Sequence, residues 1–333
     1  MKKRYDLTVS FSTAGKELLY HGISWYNSKI IDTLEITEDK IVIIFERSEK
    51  PDPKEYICSS SSPVRYQLYR AACFFLAVTG SIPSIEKIEL NDGEQSIKQD
   101  KSILTPHWEH CRIGITIPKE TASRCFGEGG KVYYTILTYF LKAQLDAFPH
   151  DGFRAAWSCL NGIYNQLSES QYEKDKLAAL REMIRSHRLE EAEGMAKTLD
   201  EDFWKHLQWY NYVQWKGISN VEEAIRINLY QDEVLFRKLS AYLCDLLQKD
   251  DPAKAEEIAG TAERFLRKKT KKPNDRLRFI VTDYCYMLRN RSFHAGRPYP
   301  IFAAYSEKGS TVEEQLTALI LLTIKDILVQ ELI

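Results

Sequence analysis

The chain has 333 residues, with 46 Lys and Arg against 47 Asp and Glu and a formal net charge of −1. Hydrophobic residues make up 44% and charged residues 28%, with 15 Gly and 11 Pro, which excludes a disordered, collagen-like or coiled-coil chain. The charge balance excludes a polybasic nucleic-acid coat, but it leaves room for a local basic patch.

The length is over twice that of a domain of about 150 residues, which allows two domains. Seven scattered cysteines form no CxxC pair, so neither a zinc ribbon nor a thioredoxin-like motif is expected, and the thiols read as small buried hydrophobes. Lys2-Lys3-Arg4 is followed by an alternating segment instead of an apolar signal core. The apolar stretch Leu316–Ile324 is far short of the roughly 20 residues that span a bilayer. These features predict a soluble, cytoplasmic protein with no membrane partner.

Leu7, Val9 and Phe11 alternate as a strand does, and residues 29–47 read as two strands split by Glu38-Asp39. Val64–Val78 has helix length and few breakers, with Ser59–Pro63 as a short connection or helix lead-in. Ile85–Leu90 reads as a strand entering a turn at Asn91-Asp92-Gly93, and Arg112–Ile117 as a further strand stopped by Pro118.

Beyond Gly129-Gly130 the pattern turns helical. Phe153, Ala156, Trp157, Leu160, Tyr164 and Leu167 share one helix face, and Leu177, Leu180 and Ile184 another. Leu277, Ile280, Val281, Tyr284 and Leu288 repeat the pattern after Pro273-Asn274-Asp275. A last helix is expected to start at Ser310–Glu314 with a capping box. It is apolar on nearly all sides, which implies deep burial or an oligomer interface. The expected fold class is thus an α+β N-terminal domain over residues 1–130 followed by an all-α helical domain over 131–333.

The segment 284–298 concentrates reactive residue types. An apolar helix ends in Arg289-Asn290, three residues, His294, then Gly296 and Pro298 as stop signals. Asn290 and His294 are four apart and share a helix face. Arg289 and His294 are five apart, about 140° around an ideal helix. They share a cleft only if the helix end loosens or the Arg side chain reaches round. A permanently charged guanidinium beside a group that titrates near neutrality suits phosphodiester chemistry. With RNA as substrate the 2′-hydroxyl is a built-in nucleophile, so no cofactor and no metal is expected. Basic residues lead up to this segment: Lys268, Lys269, Lys271 and Lys272, with Arg291 and Arg297 inside it, form a patch suited to a phosphate backbone.

The RNxxxH pattern Arg289-Asn290…His294, at a helix end and followed by one more helix, resembles the Rx4–6H signature of the HEPN superfamily. Phe148-Pro149-His150-Asp151-Gly152-Phe153-Arg154-Ala155-Ala156-Trp157 is similar to the opening core helix of such domains. The resemblance covers residues 131–333, with 187–270 as a large insertion in a four-helix bundle. It implies a metal-independent endoribonuclease acting as a homodimer, with a composite cleft between protomers, often a toxin or an effector of antiviral defence. Arg289 would hold the scissile phosphate, His294 would serve as general acid or base, and Asn290 would orient His294 or the phosphate. The N-terminal domain would regulate or sense, or hold an activator, antitoxin or defence-system partner. The competing reading is a non-catalytic RNA- or nucleotide-binding scaffold of the same shape.

Three weaker patterns are better explained by packing or coincidence. Trp204, Trp209, Tyr210, Tyr212 and Trp215 could stack bases but more commonly pack in cores. His107-Trp108-Glu109-His110-Cys111 lacks a matched second ligand pair. Gly80-Ser81 with Asp92-Gly93-Glu94 mimics a nucleotidyltransferase pattern, with Glu in the last acidic position.

Overall fold

The computed structural model describes residues 3–27, 29–48, 53–91, 96–104, 108–208, 276–294 and 307–333, with scattered positions between 241 and 260. It forms two compact units, Met1–Ala147 and Phe148–Glu331. No helix among the described residues is long and apolar enough to cross a membrane.

The first unit is built on an antiparallel sheet of β1 (Lys3–Phe11), β2 (Leu18–Asn27), β3 (Ile30–Thr37), β4 (Lys40–Arg47), β5 (Ile85–Asn91) and β6 (Ser96–Gln99), in the order β2-β3-β4-β1-β5-β6. Alternation decides its faces. Tyr5, Leu7, Val9 and Phe11 are buried, as are Leu34, Ile36, Ile41, Ile43 and Phe45. After the short helix α1 (Pro53–Cys58), helix α2 (Pro63–Thr79) covers this face. Ser62 caps α2 by accepting from the Arg65 N–H, and Gly80, at φ 80°, ends it in the left-handed region. The Gly-Ser pair at 80–81 is therefore a helix stop, and Asp92–Glu94 lie outside the described residues.

Two expectations fail here. Arg112–Ile117 is not a strand: Arg112 makes one isolated bridge to Ser81. The N–H groups of Ile113 and Ile117 go to the carbonyls of Gly80 and Ala77 at the end of α2, and Ile115 exchanges two bonds with the Gln144 amide. A helix end and a side chain thus take the partners a ladder would have supplied. Helix α3 (Lys131–Leu145) belongs to this unit, so the division falls at Ala147/Phe148 and not at 130/131. Tyr134 of α3 packs edge-on against Tyr66 of α2, 5.2 Å between ring centroids.

Edge strand β2 is protected by side chains. The carbonyls of Ile23, Ser24 and Trp25 accept from Tyr20 Oη (2.9 Å), Gln67 Nε2 (3.0 Å) and Arg70 Nη1 (2.6 Å).

The second unit is helical: α4 (Pro149–Leu167), α5 (Glu173–Ser186), α6 (Glu190–Thr198), α7 (Glu201–His206), α8 (residues 276–294) and α9 (Glu307–Val329). The predicted faces of α4 and α5 are buried, with Phe153, Ala156, Trp157, Leu160, Tyr164, Leu177, Leu180 and Ile184 inside. Helix α9 begins at Glu307, so Ser310 and Thr311 lie within the helix and do not cap it. Its residues Leu316, Leu319, Ile320, Leu321, Ile324, Ile327 and Leu328 are buried by this same chain, against α4, α6 and α8. Of the two fates expected for an all-round apolar helix, burial is the one observed. Asp326 of α9 accepts the N–H groups of Glu191 (3.1 Å) and Ala192 (3.0 Å), capping α6 from outside its own sequence. The first part of the expected insertion is thereby core: Leu189, Ala192, Ala196, Phe203 and Trp204 are buried. Residues 209–240 lie outside the described residues.

Candidate functional site

The site grows from an irregular helix. Within α8, Phe279–Tyr284 is a π-turn, in which the Cys285 N–H reaches back five residues to the Ile280 carbonyl. Arg181 of α5 accompanies it. Its Nε donates to Thr282 Oγ1 (3.2 Å), and its Nη2 to the Thr282 carbonyl (3.4 Å) and Asp283 Oδ1 (2.9 Å). Thr282 Oγ1 also donates to the Arg278 carbonyl at 2.9 Å. A backbone carbonyl engaged by an outside guanidinium is compatible with a widened turn, and π-turns recur where helices carry function. Ordinary α-helix resumes over Cys285–His294 and carries the RNxxxH segment.

Arg289 meets two partners there. Its Nη1 donates to Asn290 Oδ1 at 2.8 Å and pairs with Glu173 Oε2 at 3.3 Å. Glu173 lies in the first turn of α5, where the helix dipole favours an acid. Its carboxylate also accepts from Tyr286 Oη at 3.3 Å and from Tyr164 Oη at 3.0 Å. Trp157 backs the cluster, 6.3 Å from the Tyr164 ring and 6.1 Å from the Tyr286 ring. Burial, with the Glu173 charge behind it, pushes the Tyr164 hydroxyl far above its ordinary range, so it stays a donor. The arrangement is a guanidinium steadied by an amide and by a carboxylate that two phenols hold in turn. The Arg289 side chain is 17% exposed and that of Glu173 33%. An ion pair so near water is worth about 0–1 kcal/mol, weak enough for an arriving phosphate to displace.

Of the residues singled out in the sequence, Arg289 and Asn290 meet each other here. Asn290 turns its oxygen to Arg289, whereas it was expected to orient His294 or the phosphate. The helix continues through His294 without loosening, which keeps Arg289 and His294 about 140° apart around the axis. The side chains of Arg291 and His294 lie outside the described residues, as do Lys268, Lys269, Lys271, Lys272 and Arg297. Glu173, Tyr164 and Tyr286 were missed. Glu173 is legible as an acid opening a helix, but nothing local ties it to an arginine 116 positions later.

The weaker patterns resolve into structure where they are described. Trp204 is fully buried beneath the Arg276 guanidinium, 5.9 Å from its ring centroid, while Trp209, Tyr210, Tyr212 and Trp215 lie outside the described residues. Trp108 is buried, and Glu109 Oε1 accepts the Ile85 N–H at 3.0 Å, closing a strand end; His107 lies outside the described residues. Among the described residues no disulfide forms, and burial pushes the Cys73 thiol up to about 12. No known family model, curated protein or solved structure matches this chain.

Proposed function

We propose that the protein is a metal-independent endoribonuclease of the HEPN type, working as a homodimer and serving as a toxin or an effector of antiviral defence. The observation that carries this reading is Arg289, held by Asn290 and Glu173 on a helix that a π-turn re-aims just before the RNxxxH segment. A guanidinium in that position binds the scissile phosphate and stabilises charge on its oxygens. His294 passes protons to or from the 2′-oxygen and the leaving 5′-oxygen. The angular separation of Arg289 and His294 on one helix supports a cleft in which each protomer supplies part of the set. The products are a 2′,3′-cyclic phosphate or 3′-phosphate and a 5′-hydroxyl.

The scaffold reading has one observation in its favour: Arg289 already has a carboxylate partner in its own chain, as a structural arginine would. Cleavage of total tRNA and of an unstructured RNA in EDTA separates the two, comparing wild type with Arg289→Ala and His294→Ala. Cleavage by wild type alone, with 5′-hydroxyl ends, supports the nuclease. No cleavage by a folded, dimeric wild type favours the scaffold. Equal cleavage by all three removes Arg289 and His294 from the chemistry.

A further inference from the structure

The face of the N-terminal sheet turned away from α2 carries a pocket unrelated to the Arg289 cluster. Alternation assigns its residues. Asp32, Leu34, Ile43 and Phe45 are buried toward α2, so Ile31, Thr33, Ile44 and Glu46 project to the other side. Register then sets neighbours side by side: Thr33 opposite Ile44, and Glu46 opposite Arg4 of β1. The result is an open pocket of about 580 Å³ with Ile31, Thr33 and Ile44 in its floor. Arg4, Lys29, Arg47 and His21 stand around it, with Glu46 as the acid in the lining.

The cations differ in how they are held. Arg47 is fixed by a fork onto Asp32, at 3.0 and 3.2 Å, and lies 5.2 Å from the Phe45 ring centroid. Arg4 and Lys29 form no ion pair among the described residues, and the nearby charge of Arg4 acts on Asp6. With Arg47 neutralised by Asp32, Arg4 and Lys29 stand against the single acid Glu46, a balance that still selects for negative charge. Guanidinium and ammonium together suit phosphate oxygens. The volume falls within the roughly 300–1,000 Å³ of small-molecule sites, so inorganic phosphate would leave most of it in water. The Ile31 and Ile44 side chains in the floor offer apolar surface to a ring.

We infer that this pocket binds a small organic phosphate with a planar body, of mononucleotide size, its phosphate toward Arg4 and Lys29 and its ring on Ile31 and Ile44. The inference is independent of any nuclease activity, since every residue it uses belongs to the sheet unit.

Equilibrium dialysis of the full chain tests it with each of the four ribonucleoside 5′-monophosphates, the matching nucleosides, inorganic phosphate, and a twelve-residue single-stranded RNA. At least one monophosphate is expected to bind saturably, and about tenfold more tightly than its nucleoside or phosphate alone. Arg4→Ala and Lys29→Ala, exposed changes checked for intact folding by circular dichroism, should each weaken it about tenfold. Glu46→Gln should tighten it about threefold, as loss of a like charge at the rim would. Failure of all four monophosphates to saturate overturns the inference. So does binding that Arg4→Ala and Lys29→Ala leave unchanged. RNA binding that Arg4→Ala and Lys29→Ala weaken, without binding of any monophosphate, would also overturn it, marking a strand-binding face instead.

Discussion

Each unit contains an arginine–carboxylate pair, and the two differ in a way that separates architecture from chemistry. In the sheet unit Arg47 grips Asp32 at 3.0 Å, with side-chain exposures of 18% and 0%. In the helical unit Arg289 meets Glu173 at 3.3 Å, with exposures of 17% and 33%. The arginines are equally covered; the carboxylates are not. A dry carboxylate that loses its cation is stranded, because burial raises its pKa and Arg47, helped by the Gln67 amide, pulls it back down. A wet carboxylate that loses its cation is resolvated, so its arginine is available to another anion.

The sharpest way to break that comparison is Arg47→Met, which leaves Asp32 buried beside Gln67. It should cost about 3 kcal/mol in urea unfolding. A loss below about 1 kcal/mol would mean the Asp32 pair is no more structural than a surface one. Gly130→Ala probes a buried cation, since a Cβ there would press into the Cys125 carbonyl oxygen and lie 2.8 Å from Arg70 Nη2. The expected cost is about 2 kcal/mol, and an unchanged melting temperature would show that this loop yields freely.

Glu173→Gln tests the other side. Stability should change by less than about 1 kcal/mol. If Arg289 serves phosphate as proposed, RNA should bind about fivefold more tightly at low salt, with the gain shrinking as salt rises. Unchanged RNA affinity together with a large stability loss would make Glu173–Arg289 a second structural pair. The smallest effect concerns pH. Burial raises Asp326 above its ordinary 3.8, and the N–H groups of Ala192 and Glu191 lower it only in part. Its folded pKa therefore exceeds the unfolded one, so the native state takes up the proton first. This group adds stability as pH falls through the raised value toward 3.8. The stability of wild type relative to Asp326→Asn should rise over that window; a flat difference would show an unperturbed carboxyl.

What sequence could reveal follows the range of the interaction. Strands β1, β3 and β4 and helices α2 and α4 bury their own alternating or helical stripes, so periodicity exposes them. Strand β2 escaped because Gly22 interrupts it and its polarity runs against the sheet: Ser24 is buried while Ile23 faces solvent. Ser24 is acceptable inside because Gln67, on α2, takes its hydroxyl at 2.6 Å. The start of α9 was misjudged because a Ser-Thr-x-Glu-Glu sequence fits a cap equally well inside a longer helix. Arg289 and Asn290 were legible as a spaced motif, but the Glu173 carboxylate and the Arg181 contact at the π-turn arrive from another helix and leave no local trace.

That π-turn sets the molecule's tolerance for length change. A widened turn holds one residue more than the ordinary helix it replaces, so the two halves of α8 are out of phase by one position. Deleting one residue within Phe279–Tyr284 would let regular helix close up there while leaving Met287, now fully buried, in the core and Arg289 facing Glu173. The same deletion just after Tyr284, where the regular helix has no residue to spare, would rotate everything beyond by about 100° and turn Arg289 away from Glu173. Along this helix spacing carries information that residue identity does not, and a lineage could lose the site without changing one of its side chains.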